Sequence, residues 1–130
     1  MAGLLDGLRI LVLEDEFLIA MDVEQICRDD GAADVVIARS VADAEAAASS
    51  STFDAAILDL LLGGVSTLPF AATLRQRGVP FVFASGYTDL EEISASFPGV
   101  RIVGKPYGGN DILSALVQAR AQTRVQADNR

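Results

Sequence analysis

Four apolar stretches of the chain run directly into residues able to do chemistry. RILVL, residues 9–13, leads into Glu14, Asp15 and Glu16. AAIL, 55–58, leads into Asp59; PFVFA, 80–84, leads into Ser85 and Gly86; and RIVG, 101–104, leads into Lys105 and Pro106. A carboxylate at the end of a buried run is costly unless its charge is compensated, so two such acidic endings suggest one acidic site. Glu14, Asp15 and Asp59 in a single cleft would repel one another unless a cation sat among them. A hard divalent ion suits that role, because Mg²⁺ takes oxygen ligands, keeps several waters, and uses one or two carboxylates together with phosphate oxygens. A lysine and a hydroxyl facing a carboxylate and a metal are the parts phosphoryl transfer requires, since its catalysis is mainly charge neutralisation and positioning. Glu16 is read more simply, as an acid at the positive end of a helix dipole. Asp59 does not fit that reading, for Leu60-Leu-Leu-Gly-Gly follows it and does not open a helix.

Composition narrows the chemistry further. The 130 residues contain no histidine, which removes Ser-His-Asp hydrolases, Cys-His proteases, His-rich zinc sites and a phosphohistidine carrier. The single cysteine, Cys27, has no disulfide partner and sits in an amphipathic run, so it reads as a small core residue. Net charge is −8 with the basic residues scattered, which argues against a nucleic-acid partner. Hydrophobic residues make up 51% of the chain, yet no stretch has the length of a membrane span and the N-terminus lacks a charged leader with a long apolar region. The expectation is a soluble, cytoplasmic, single-domain protein.

These residues need elements to hold them. β-branched apolar runs at 9–13, 34–38, 55–58, 80–84 and 100–103 predict five buried strands. Between them, Ile19, Val23, Ile26 and Cys27 share one helical face, with Gly31 beyond its end. Ser40-Val-Ala-Asp43 resembles a capping box with Asp in place of Glu or Gln and opens a second helix. Leu68 to Arg77 predicts a third, with Pro69 in its first turn and Gly78 past its end. Asp89 to Phe97 has poor periodicity and predicts a short or unformed fourth helix, while Ile112, Leu113, Leu116 and Val117 mark a last one. Residues 121–130 turn polar and read as a frayed helix end and tail after a domain spanning 1–120. Strict βα alternation with strands apolar on both faces predicts an α/β fold, a doubly wound five-stranded parallel sheet with helices on both sides. Such folds bind ligands beyond the carboxyl ends of the strands, where strand order reverses.

Taken in order, Glu14-Asp15, Asp59, Ser85 and Lys105-Pro106 make nearly the whole chain resemble the receiver domains of two-component response regulators, which have the flavodoxin-like (βα)5 fold. The resemblance implies that Asp59 accepts a phosphoryl group from a histidine kinase or phosphotransfer protein. It further implies that Asp15, Asp59 and the Leu61 carbonyl bind Mg²⁺, or Mn²⁺ in its place, with Glu14 acting through water. Ser85 and Lys105 would each hold a phosphoryl oxygen, and the Lys105-Pro106 bond would be cis. Phe83-Ala84-Ser85-Gly86-Tyr87 is similar to the Phe-Ala-Thr-Gly-Tyr signature of the atypical FAT GUY subfamily, with serine replacing threonine. That subfamily also has a short or unformed fourth helix. The aromatic residue that receivers usually carry three positions before the lysine is Ile102 here, so Gly86, Tyr87 and the segment to residue 97 become the candidate switch.

The expected function is that of a stand-alone receiver without its own output domain. It would catalyse only its own phosphorylation and dephosphorylation, and would signal through a downstream protein partner or a phosphorelay, with no membrane or nucleic acid involved and with oligomeric state open. A haloacid dehalogenase-like phosphatase is the alternative from another class, but that family places a second aspartate where this chain has Leu61. A flavodoxin-like cofactor binder would need a Ser/Thr/Gly-rich loop where Glu14 to Glu16 stand. A degenerate receiver that binds partners without phosphorylation shares every motif.

Overall fold

A computed structural model of the chain describes residues 3–85, 90–104 and 109–128. Five strands form the main sheet: β1 (Arg9–Leu13), β2 (Asp34–Ala38), β3 (Ala55–Asp59), β6 (Phe81–Ser85) and β7 (Ile102–Gly104). Two shorter ones, β4 (Leu61–Leu62) and β5 (Val65–Ser66), lie between β3 and the third helix. The helices are α1 (Phe17–Asp29), α2 (Val41–Ser50), α3 (Leu68–Gln76), α4 (Leu90–Ser96) and α5 (Gly109–Asp128).

All pairings in the main sheet are parallel, in the order β2-β1-β3-β6-β7. Because β1 pairs with β2 on one side and β3 on the other, strand order reverses between β1 and β3, and the crevice of a doubly wound sheet opens there. Alternation along each strand feeds two cores. Ala55 and Ile57 of β3 join Val23 and Cys27 of α1 and Ile112 and Leu116 of α5. Ala56 and Leu58 join Ala44 of α2, Phe70 and Leu74 of α3 and Ile93 of α4. Thus α1 and α5 cover one face while α2, α3 and α4 cover the other.

Local signals account for most boundaries. The Ser40 hydroxyl accepts the Asp43 N–H at 3.1 Å, the N-cap bond expected from Ser-Val-Ala-Asp. Pro69 lies in the first turn of α3, where its missing N–H has no intrahelical partner to lose. α4 is short, as its weak periodicity predicts, and is held by buried Ile93 with buried Phe97 following it. The Phe97 ring lies 5.5 Å from Phe81 and 5.8 Å from Phe83, centroid to centroid.

Three differences from the sequence reading stand out. The last strand begins at Ile102 rather than Val100, whose N–H instead closes a turn onto the Phe97 carbonyl. The stretch read as a frayed helix end and tail is helical as far as Asp128, since Ala, Gln and Arg favour helix and no Gly or Pro interrupts them. The pair β4 and β5 is new. Gly63 and Gly64 both have positive φ, 55° and 81°, which a two-residue type I′ hairpin demands of its central residues. Among the described residues, no helix is long and apolar enough to cross a membrane.

Candidate functional site and metal centre

β1 and β3 end side by side, with Leu13 opposite Leu58 in the register, so the residues that follow meet at the crevice. Glu14, Asp15 and Asp59 each offer a carboxylate oxygen within 4.8 Å of the others. The three are not equivalent. Glu14 is buried at 3% exposure, its N–H donates to the Ala38 carbonyl at 3.1 Å, and its Oε2 accepts the Glu16 N–H at 3.3 Å. Asp15 and Asp59 are half-buried. Glu16 is exposed and stands at the N-cap of α1 without a side-chain cap bond, in keeping with its assignment to the helix start.

The hairpin β4–β5 completes this end of the sheet. The Gly63 N–H donates to Asp15 Oδ2 at 3.1 Å, and Arg39 Nη2 donates to the Asp15 carbonyl at 3.4 Å. Leu60 and Leu62 point into the core while Leu61 is 49% exposed. The Thr67 N–H donates to the Leu60 carbonyl at 2.8 Å, and Leu62 pairs with Val65 across the turn. In an antiparallel pair, bonded and non-bonded positions alternate, so the Leu61 carbonyl between them is not consumed by the ladder.

A donor set of three carboxylates is all hard oxygen. It suits Mg²⁺ or Mn²⁺ and offers nothing to a metal that prefers nitrogen or sulfur. Glu14, Asp15 and Asp59 are the described residues whose carboxylate oxygens lie close enough together to hold such an ion.

The remaining predicted residues divide according to what the structure describes. The Ser85 backbone ends β6, paired with Gly104 at the end of β7. Gly86, Tyr87, Lys105 and Pro106 lie outside the described residues, as does the expected cis bond. Ile102 is half-buried against the core on the α3 side.

Sequence reasoning missed Thr67 and the hairpin. Thr67 is fully buried, and its Oγ1 lies 2.6 Å from the Asp59 carbonyl oxygen and 3.0 Å from that of Leu60. The Gly-Gly pair between Leu62 and Val65 was the available hairpin signal. Nothing in the sequence marked Thr67, which reads as an ordinary N-cap before Leu68-Pro69.

Comparison with known proteins agrees with this geometry. The chain belongs to the response regulator receiver domain family, whose model matches residues 10–117. Among solved structures, a response regulator receiver protein from Sinorhizobium medicae is 26% identical. Its TM-score is 0.79, and the match covers 92% of this chain and 98% of that one. A two-component transcriptional regulator, AraC, from Clostridium phytofermentans is 24% identical with a TM-score of 0.79, covering 95% of this chain and 100% of that one. A mutant of the anti-anti-sigma factor PhyR from Bartonella quintana is 23% identical at a TM-score of 0.79, but the match covers 92% of this chain and only 50% of that one. No curated protein sequence gives a significant match. Family membership sets aside the phosphatase-like and cofactor-binding alternatives.

Proposed function

We propose that Asp59 is the phosphoacceptor of a two-component signalling step, receiving its phosphoryl group from the phosphohistidine of a histidine kinase or phosphotransfer protein. One observation carries the proposal: Glu14, Asp15 and Asp59 converge within 4.8 Å at the strand-order reversal of a receiver-family chain. An Asp59 carboxylate oxygen attacks phosphorus as the bond to the donor nitrogen breaks. An acyl phosphate forms, and the electron pair returns to the imidazole, which takes up a proton. Asp15, Asp59 and the Leu61 carbonyl would hold a divalent ion, which would supply charge neutralisation for the incoming phosphoryl oxygens. Glu14 adds negative charge that favours the ion, and Ser85 and Lys105 bind two phosphoryl oxygens.

The chemistry is confined to the protein's own phosphorylation and dephosphorylation in the cytoplasm, and the output is contact with another protein. The Phe83-Ala84-Ser85-Gly86-Tyr87 sequence and the seven-residue α4 favour the FAT GUY subfamily, with the switch in residues 86–97 rather than at Ile102. Intact mass after incubation with acetyl phosphate and Mg²⁺ tests the acceptor. Wild type should gain one phosphoryl group and Asp59→Asn none. Undiminished labelling of the variant would refute the assignment, and an unlabelled wild type would identify a degenerate receiver.

A further inference from the structure

Among the described residues, the pairing of β3 in the main sheet ends at Asp59, opposite Ala84. That register holds the Asp59–Leu60 peptide through its N–H side, so no described ladder of the main sheet fixes the Asp59 carbonyl or the peptide that follows Leu60. Those groups decide where the Asp59 carboxylate stands relative to the Leu61 carbonyl. Thr67 takes over where the ladder stops. Its N–H donates to the Leu60 carbonyl at 2.8 Å, and its hydroxyl lies 2.6 Å from the Asp59 carbonyl oxygen and 3.0 Å from that of Leu60. A hydroxyl has a single proton to give. The shorter contact therefore receives it, and the backbone N–H serves Leu60, so one residue holds two consecutive carbonyls.

We infer that Thr67 is a positioning residue for the acidic site, presenting the Asp59 carboxylate and the Leu61 carbonyl together as one oxygen set for a divalent cation. Thr67 is itself immobilised: it is fully buried, and its carbonyl accepts the Ala71 N–H at 2.9 Å at the start of α3. α3 is in turn anchored in the core through Phe70, Ala71 and Leu74. Rigidity thus passes from a packed helix through one hydroxyl to the strand end. The same hairpin reaches Asp15 through the Gly63 N–H at 3.1 Å, so displacement of the Asp59–Leu61 segment would disturb both sides of the site. The inference rests on the proposed metal-dependent acceptor and adds the residue that sets its geometry.

The test compares wild type with Thr67→Val, which keeps shape and loses the donor, and Thr67→Ser, which keeps the donor. Calorimetric titration with Mn²⁺ is run where circular dichroism shows each protein folded, alongside the initial rate of labelling by acetyl phosphate. Thr67→Val should lose about tenfold in Mn²⁺ affinity, the scale usual for residues that orient ligands without touching the metal. Its labelling should slow at low Mn²⁺ and recover as Mn²⁺ saturates, while Thr67→Ser stays close to wild type. Wild-type affinity in Thr67→Val, even with a lower melting temperature, would make Thr67 merely structural and overturn the inference. An equal loss in Thr67→Ser would overturn it too, by assigning the effect to methyl packing. If Thr67→Val does not fold, Thr67→Cys, of similar size and a poor donor, replaces it: reduced affinity supports the inference and wild-type affinity overturns it. A wild type that binds no Mn²⁺ and takes no phosphoryl group defeats the reading of the site itself, a failure visible before any variant is compared.

Discussion

Asp15 faces both the carboxylate cluster and the hairpin, and its two contacts separate charge from scaffold. Its side chain accepts the Gly63 N–H, a bond that an asparagine oxygen can also accept, whereas the negative charge is what favours a cation. Asp15→Asn should therefore melt at or above the wild-type temperature without metal, since one repulsive charge is gone. It should lose most of the rise that Mg²⁺ gives wild type, because stabilisation by a ligand grows with its affinity for the folded state. Thermal scans with and without Mg²⁺ check both halves. An unchanged rise in the variant would remove Asp15 from the site. Cys27 illustrates the opposite environment. Burial, and secondarily the nearby Asp30 charge, push its thiol from 9.0 up to about 11, against a smaller lowering by Arg28, so it should resist alkylation in the native protein at neutral pH. Below about pH 9 both folded and unfolded chains keep that proton. Between about 9 and 11 only the folded chain keeps it, so its contribution to stability is lost as pH rises through that window. Denaturation measured across the window should show a shallower decline in Cys27→Ala than in wild type.

The elements show which parts of a sequence speak locally. Ser40 announced α2 because a cap is a contact between near neighbours, and Ser40→Ala should cost about 1 kcal/mol by denaturant unfolding. β1, β2 and β3 were legible because buried parallel strands are continuous apolar runs, and the carboxylates at their ends were legible because charge there breaks the pattern. The hairpin β4–β5 was not, since two-residue strands are too short to show a period of two, and only Gly63-Gly64 hinted at it. Neither glycine has an atom within 4 Å of where a Cβ would stand, so the demand at each is conformational alone. Gly63→Ala should cost about 1 to 2 kcal/mol through positive φ, and it should also loosen the N–H contact to Asp15, read as weaker Mg²⁺ binding. Thr67 was illegible for a different reason. Its partners, the carbonyls of Asp59 and Leu60, are backbone atoms that every residue has, so no side-chain pattern could name them. Phe97, just past α4, packs its ring against Phe81 and Phe83 of β6, contacts that the poor periodicity of its own segment did not mark. Arg75 lies 4.6 Å above its ring, and Phe97→Ala should cost about 3 to 5 kcal/mol.

Across the whole molecule, the acidic cluster and an arginine-bordered cavity stand at opposite ends of the sheet. The carboxylate cluster occupies the carboxyl ends of β1 and β3. Arg75, Arg77 and Arg101 border a cavity of about 320 Å³ near the amino ends of β6 and β7, where Phe81 and Phe97 also contribute to the lining. With a net charge of −8, added salt should stabilise the protein modestly by screening self-repulsion. The Mg²⁺ effect should persist when ionic strength is matched with NaCl, and its disappearance under that control would reduce it to screening. The central place of β1 has a consequence in time. Because β1 pairs with both β2 and β3, residues 9–76, which include the hairpin and α3, form a three-stranded unit that can assemble before β6 and β7 join. All three carboxylates belong to it. Their mutual repulsion therefore burdens the barrier to folding, and a divalent ion bound by this early unit should speed folding and not merely slow unfolding. In stopped-flow experiments Mg²⁺ should raise the refolding limb of the chevron, while Phe97→Ala, whose partners Phe81 and Phe83 lie on the later strand, should act chiefly on the unfolding limb. A protein whose sheet grows outward from its acidic crevice would thus acquire its metal site while it is still folding.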